Sequence, residues 1–522
     1  MLETDGWTFT TLPALCARAA KVYGDAPLIE DGATIVSFAQ FDVLRQQFGR
    51  ALIASGIQAG DRVMIIAPNR AEWLVAAMGI ASAGAVLIPV STRFRGLEIE
   101  DLALRGGARL LLSAGDFLES YYPDMLTPAT REQLDEVIVL DNARGDTSWD
   151  AFMARGDASH AEALRQREAA LTGDTICDIL FTSGTTGRSK GVMYAHHQFL
   201  RVVSDWTQRV GLRRGDRTLV IPPFFHAFGY RGGAIGSLMV GATILPHQTF
   251  DPAEVLQRVS QDRISVIPGP PAIFQGMLNR PEFETFDRSS LRLGITGGAV
   301  IPSVLVERMK TDLGFEGVCN GYGLTECGGY GAMCNTTDPI EVVAKTAGHP
   351  MPNVEIEMMD DKGRLLPRGE AGEIVIRGYI VMKGYFDDPA ATAATIDAEG
   401  WLHTGDIGRY DDLGNLVVED RLKDMFITGG FNCYPAEIER ILSAHPAIGQ
   451  AAVIGIPDDR LGEVGKAFVV LRPGKTATEA EIIAWSRENM ANYKAPRRVE
   501  IREALPVSPQ GKVLKRLLAG KG

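Results

Sequence analysis

An apolar run, Ile176 to Leu180, passes directly into Phe181-Thr182-Ser183-Gly184-Thr185-Thr186-Gly187-Arg188-Ser189-Lys190-Gly191. An apolar stretch bounded this way reads as a buried strand that empties into a loop. Three glycines let the backbone turn its N–H groups toward one point. Five hydroxyl side chains add donors and Lys190 adds positive charge, so the segment suits a phosphate-sized anion. A generic Ser/Gly/Thr loop has a similar composition; the order of residues and the lysine set this one apart. It does not fit the Walker spacing G-x-x-x-x-G-K-S/T: counted from Gly184, the second glycine slot holds Ser189, and Lys190 is followed by Gly191.

The sequence around the loop is that of an α/β protein. Phe38 to Ser55 has helical periodicity, Asp61 to Ile66 reads as a buried strand, Trp73 to Ala81 is again helical and Ala85 to Val90 again a strand. The alternation continues through the strands Arg217 to Ile221 and Ala242 to Leu245. It predicts a parallel sheet covered by helices. From about residue 345 the texture changes. Val354 to Met358 alternates with period 2, and Gly372 to Gly378 follows as a short strand between glycines, which predicts a smaller antiparallel unit. Glu419 to Asp424 carries five charges in six residues, the composition of an exposed connector. Beyond it, a helix starts near Pro435 with Ile438, Ile441 and Leu442 on one face. Strands over Ala451 to Ile456 and Lys466 to Leu471 and a helix over Glu479 to Met490 complete an α+β unit. The expected division is 1–420, 421–424 and 425–522.

A chain of 522 residues, 45% hydrophobic and 23% charged, holds material for several cores, and 57 glycines suit a loop-rich enzyme better than a helical bundle. A net charge of −12 argues against a nucleic-acid partner. No apolar segment reaches membrane-spanning length without interruption, and Met1 to Asp5 has neither a basic nor an apolar leader, so a cytoplasmic location is expected. The six cysteines form no CxxC pair and lie near no histidine at metal spacing; small buried hydrophobes is the reading taken. The stretch from Tyr493 to the end is locally basic, with eight Lys/Arg against two Glu, and would suit a polyanionic cofactor.

The loop of residues 181–191 resembles the signature of adenylate-forming enzymes, which include acyl-CoA synthetases, and further motifs follow in that family's order. The resemblance implies that Thr182, Ser183, Gly184, Thr185, Thr186, Gly187 and Lys190 grip the phosphates of ATP, with Thr185 near the metal. Pro222 to Tyr230 contains His226, which alone would read as a packed core histidine; by resemblance His226 and Phe228 line the acyl pocket beside the reacting carboxylate. Backbone at Gly297, Gly298 and Ala299 would lie along the adenine and the acyl wall. In Tyr322-Gly323-Leu324-Thr325-Glu326, Tyr322 would stack on adenine, Thr325 would meet the α-phosphate and Glu326 would hold Mg2+. A flat π-face and a hard carboxylate oxygen suit those tasks. Asp406, in Trp401 to Asp406, would accept both ribose hydroxyls, with Arg421 reaching ribose or phosphate. Lys423 and Asp424 match the hinge, and Gly429, Gly430 and Phe431 match the pantetheine channel of CoA. Lys512 matches the adenylation lysine, whose ammonium offsets the repulsion between an attacking carboxylate and a phosphate.

The resemblance spans essentially the whole chain. It implies a large N-terminal domain of two doubly wound βα subdomains plus a small β-barrel, followed by a small mobile α+β domain. Within the family the chain is most similar to bacterial ligases that activate the ring-C/D remnant of degraded steroids, a hydrindane propanoate. Asp178-Ile179-Leu180, Phe224-Phe225-His226, Phe228-Gly229-Tyr230 and Val266 to Pro271 carry this, as do Asp420 to Met425 and Tyr434 to Glu437. Gly297-Gly298 and Gly328-Gly329-Tyr330-Gly331 depart from that branch at the acyl pocket, which Gly298 and Gly328 are expected to line. These glycines would make the pocket wide. Arg231 reads as a partner in a surface ion pair, in preference to a partner for a distal polar group of the acid. The implied activity is an ATP-dependent carboxylic acid:CoA ligase, on a medium-chain or bulky alicyclic acid. The alternatives are an enzyme loading a free-standing acyl carrier protein and a non-catalytic nucleotide sensor. Dimers are common among relatives, so a homodimer is a further expectation.

Overall fold

The apolar runs become the middle strands of two large sheets. The structure, a computed structural model, describes residues 2–4, 7–182, 189–298, 301–421, 424–428, 431–433, 435–458, 461–490, 492–507 and 513–519. In the first sheet the strands lie in the order 147–148, 136–139, 108–113, 62–66, 86–89, 176–182, 190–195, 384–385. All are parallel up to Ile176–Thr182; the last two pairings are antiparallel. The second sheet has a parallel centre, in the order 317–322, 293–297, 266–268, 217–220, 243–246, 27–31, with antiparallel strands at both edges. The parallel strands are nearly all buried, as a sheet covered on both faces requires.

The two sheets exchange chain. The hairpin Pro27–Asp31 and Thr34–Ser37 precedes every strand of the first sheet, yet it closes the edge of the second. Arg217 fixes it there, donating to Glu30 Oε1 at 2.9 Å and Oε2 at 2.6 Å. Between the sheets, helices Phe38–Ala54 and Ala71–Ser82 cross closely. Ser37 and Gln40 form a capping box that starts the first helix. At Gly79 a Cβ would stand 2.9 Å from the Arg45 carbonyl oxygen and 2.8 Å from Phe48 Cδ1, so only glycine allows this approach.

The period-2 segments form a four-stranded antiparallel sheet, Val354–Met359, Gly372–Gly378, Leu402–Tyr410 and Leu416–Arg421. It is an open half-barrel, so the expected small barrel does not close. The expected connector at 419–424 begins later than its charge suggested. Glu419 to Arg421 complete the last strand of the half-barrel, and Arg409 on the neighbouring strand donates to Glu419 at 2.8 Å. Opposite charges on facing strands make that segment a strand rather than a loop. The last hundred residues form a separate sheet with a small core of their own around Phe426, Ile438, Leu442, Val453 and Val469.

Arg231 corrects the sequence reading. It lies in a π-helical stretch, Phe228–Ile235, and its side chain is 0% exposed. Its Nη2 donates to both carboxylate oxygens of Asp178, each at 3.1 Å, and Asp178 is 1% exposed. The guanidinium carbon is 4.0 Å from the Tyr194 ring centroid and 5.0 Å from that of Phe199. Burial pushes the Asp178 carboxyl above the usual range, and Arg231 pulls it back toward the ionised form. The partner sits 53 residues upstream, a separation that local sequence cannot reveal. Removing one member of a buried pair strands the other, at a cost of about 3–5 kcal/mol. Arg231→Met is therefore expected to lower the thermal midpoint markedly, and Arg231→Met combined with Asp178→Leu to recover most of the loss; a double variant no better than the single would refute the pairing as the cause.

Candidate active site

The anion loop does not lead into a helix. Its flanks, Ile176–Thr182 and Lys190–Ala195, pair antiparallel with Thr182 opposite Lys190, so the loop joins neighbouring strands of one sheet. Ser183, Gly184, Thr185, Thr186 and Gly187 lie outside the described residues. The exit from the loop is clamped. Arg105 Nη1 donates to the Ser189 carbonyl at 2.9 Å and Nη2 to Ser189 Oγ at 2.9 Å. Asp101 fixes the same guanidinium, accepting from Nε at 2.9 Å, and the Phe181 ring lies 5.3 Å from its carbon. Sequence reasoning did not single out Arg105; its only signal is an Asp four residues before an Arg on one helix face.

Lys190 follows directly. Its ammonium stands 4.7 Å from the centroid of the Tyr385 ring. Tyr385 reaches this place because Gly384–Tyr385 adds to the sheet edge, with Tyr385 opposite Val192. Its phenol donates to Glu326 Oε1 at 2.9 Å. Glu326 lies in a single 3-10 turn, Thr325–Cys327, and its carbonyl accepts from Met382 N at 2.9 Å. Three remote stretches, 189–190, 325–326 and 382–385, thus meet at one spot.

A second group forms on the strands Gly317–Tyr322 and Leu402–Tyr410. Tyr322 Oη donates to Asp406 Oδ2 at 2.6 Å. Burial first, then the Asp406 carboxylate, push the phenol well above its ordinary pKa, so it stays a donor. Asp406 stands directly opposite Arg421 on the neighbouring strand, and Thr404 Oγ1 accepts from its backbone N–H at 3.1 Å. Gly297 faces Gly321 in the adjoining pair of strands, where a Cβ would meet the Gly321 carbonyl oxygen at 2.6 Å. Gly323 is needed for a similar reason, a Cβ there falling 2.3 Å from the Gly329 carbonyl oxygen. Ala299 lies outside the described residues.

Toward the expected acyl pocket, His226 Nδ1 accepts from the Phe228 N–H at 3.3 Å. A neutral imidazole that accepts at Nδ1 carries its proton on Nε2. The segment before it is held by Asn69, a buried residue that sequence reasoning missed. Asn69 Nδ2 donates to the carbonyls of Val220 at 2.9 Å and Pro222 at 3.0 Å, and Oδ1 accepts from Phe224 N at 2.7 Å. Phe228 packs edge-on to Tyr330, with centroids 6.3 Å apart. Gly298, Gly328 and Gly329 all have left-handed backbone, at φ 75°, 75° and 97°. Their backbone conformation by itself favours glycine at these three positions.

The adenylation lysine Lys512 lies outside the described residues, as do Lys423, Gly429 and Gly430 of the expected hinge and CoA channel, while Asp424 is described. Phe431 opens a short strand opposite Thr428. All six cysteines are buried and none is in a disulfide; burial pushes the thiols of Cys16 and Cys327 up to about 12, which leaves them unreactive. No helix among the described residues is long and apolar enough to cross a membrane.

Two groups of this kind, one holding a lysine and a glutamate and the other a tyrosine and an aspartate, lie on the motifs that resemble those of adenylate-forming enzymes. The chain matches the AMP-binding enzymes over residues 16–386 and the AMP-binding enzyme C-terminal domain over residues 437–512. It belongs to that family and is an AMP-forming acyl-CoA synthetase. Among its relatives is a Mycobacterium tuberculosis propanoyl:CoA ligase whose acyl group carries a 7a-methyl-1,5-dioxo-octahydro-1H-inden-4-yl ring system; it is 48% identical over 89% of this chain and 90% of its own length. The ligase of the same name from Rhodococcus jostii is 41% identical over 98% of both chains. The solved structure of the anthranilate CoA ligase AuaEII with anthranoyl-AMP superposes with a TM-score of 0.88 at 26% identity, covering 100% of this chain and 98% of that one.

ATP and CoA are substrates of this family's enzymes. Arg105→Ala removes two hydrogen bonds from the loop exit, at about 0.5–1.5 kcal/mol each. The KM for ATP is therefore expected to rise about tenfold while the KM for the acid stays unchanged. Steady-state kinetics varying each substrate in turn would check this, and an equal rise in both constants would contradict it.

Proposed function

We propose that the chain ligates CoA to a bulky alicyclic acid of the hydrindane propanoate type, through an acyl-AMP intermediate. The two relatives at 48% and 41% identity support the substrate class. The convergence of Lys190, Tyr385 and Glu326 on one side and of Tyr322 and Asp406 on the other, with Arg421 opposite Asp406 in strand register, supports the nucleotide site.

In this reading Thr182, Lys190 and the loop between them hold the β- and γ-phosphates. Tyr322 stacks on adenine, and Asp406 with Arg421 receives the ribose. Thr325 donates to the α-phosphate. Bound Mg2+ would offset the charge of the triphosphate. Glu326 suits it, since a hard cation takes carboxylate oxygen. Among the described residues no three His, Cys, Asp or Glu side chains cluster. That pattern agrees with a cation drawing its other oxygens from phosphate and water.

His226 orients the acid carboxylate beside the α-phosphate. Lys512 neutralises the repulsion as the carboxylate oxygen bonds to phosphorus and pyrophosphate leaves. The unit from residue 425 onward then turns about Lys423 and Asp424, withdrawing Lys512 and presenting Gly429 to Phe431 to CoA. The thiolate attacks the acyl carbon, and AMP leaves. A hinge is required because one carbonyl must meet two different groups in turn. The division at 421–424, a homodimer and a cytoplasmic location are parts of the same proposal.

Lys512→Ala is expected to lower acyl-AMP formation by two or more orders of magnitude, on the order of what a removed electrostatic stabiliser costs. Thioester formation from supplied acyl-AMP should persist. Equal loss in both half-reactions would contradict the role. Substrate class is checked by incubating the protein with ATP, Mg2+ and CoA and acids from acetate to palmitate, aryl acids and a hydrindane-dione propanoate. Best turnover of the last is expected. Preference for a linear acid would discard the substrate class, and acyl-AMP without thioester would point to a carrier-protein acceptor.

A further inference from the structure

We infer that Tyr385 is a positioning residue of the nucleotide site, which aims the Glu326 carboxylate at the divalent cation and keeps the Lys190 ammonium apart from it. The inference rests on the nucleotide reading given above and concerns a residue to which that reading gives no role.

Tyr385 is held from three directions. Its strand is paired to Val192 and Met193 at the sheet edge. Its backbone N–H donates to Thr392 Oγ1 at 2.9 Å, and that hydroxyl in turn donates to the Asp388 carbonyl at 2.9 Å. Its side chain is buried, so the ring has one orientation. Its phenol donates to Glu326 Oε1 at 2.9 Å. A carboxylate held by one oxygen offers the other in a fixed direction, which is how an outer partner tunes a metal ligand.

The same ring separates two opposite charges. Lys190 rests over its face with Nζ 4.7 Å from the centroid, while Glu326 is bonded at its edge. A lysine and a glutamate this near would otherwise form a direct ion pair and remove both from the triphosphate. Among the described residues no such pair joins them. Cation–π attraction holds the ammonium without neutralising it.

The test compares wild type, Tyr385→Phe and Tyr385→Leu by calorimetric titration with ATP, once with excess Mg2+ and once with EDTA. A thermal midpoint for each variant reports folding. Tyr385→Phe keeps the ring and loses the hydroxyl, so the Kd for ATP with Mg2+ is expected to rise about 10- to 100-fold, while the Kd in EDTA stays at the wild-type value. Tyr385→Leu loses the ring as well and should weaken binding under both conditions. Tyr385→Phe binding MgATP like wild type, or losing affinity equally with and without Mg2+, overturns the inference while leaving the nucleotide reading intact. A wild type that binds ATP under neither condition overturns that reading, and this inference with it.

Discussion

The antiparallel pairing of Ile176–Thr182 with Lys190–Ala195 is the constraint on which the site depends. It turns an otherwise parallel sheet into one with an antiparallel edge, and that edge does three things. It brings both ends of the anion loop to the same level, with Thr182 opposite Lys190. It offers unpaired backbone to Gly384–Tyr385, which would have no reason to approach otherwise. It also places Asp178 against the helix that follows His226, where Arg231 meets it.

The buried Asp178–Arg231 pair shows why such a site tolerates a costly interaction. Two fully buried charges gain little net stability over an apolar pair. They do fix register, because a slip of either element would leave a charge without its partner. The pair ties the strand entering the phosphate loop to the π-helical stretch that begins at Phe228. The regions proposed for phosphate and acyl binding are thereby set relative to each other. Asn69 performs a similar task through neutral hydrogen bonds, spanning Val220 to Phe224 just ahead of His226.

The arrangement has no rigid wall on every side. The residues proposed for the nucleotide come from the two large sheets and the half-barrel, while the unit after residue 425 has a sheet and a core of its own. The proposed two-step reaction suits that division, because the groups assigned to ATP and those assigned to change between steps lie on separate sheets.

The sequence by itself determined the element types, the order of the motifs and the family. Apolar runs and helical periodicity are local, and so are the motif residues: Phe181 to Gly191, Tyr322 to Glu326 and Trp401 to Asp406 are contiguous and legible without a structure. Element bounds followed within a residue or two at Gly372–Gly378 and Glu479–Asn489, while the strands expected over 451–456 and 466–471 run longer, as Ile448–Asp458 and Gly462–Leu471. The tertiary structure alone decided what depends on distant pairs. Tyr385 beside Lys190, Arg105 on Ser189, Asn69 under His226, Arg231 in the core and the hairpin 27–37 in the second sheet all rest on partners far away in the chain. None has a local pattern, since a buried arginine and an exposed one look alike until the opposing carboxylate is placed. The glycines near the acyl pocket make the same point. Their small size suggested space, and their backbone conformation by itself also favours glycine, which only dihedral angles reveal.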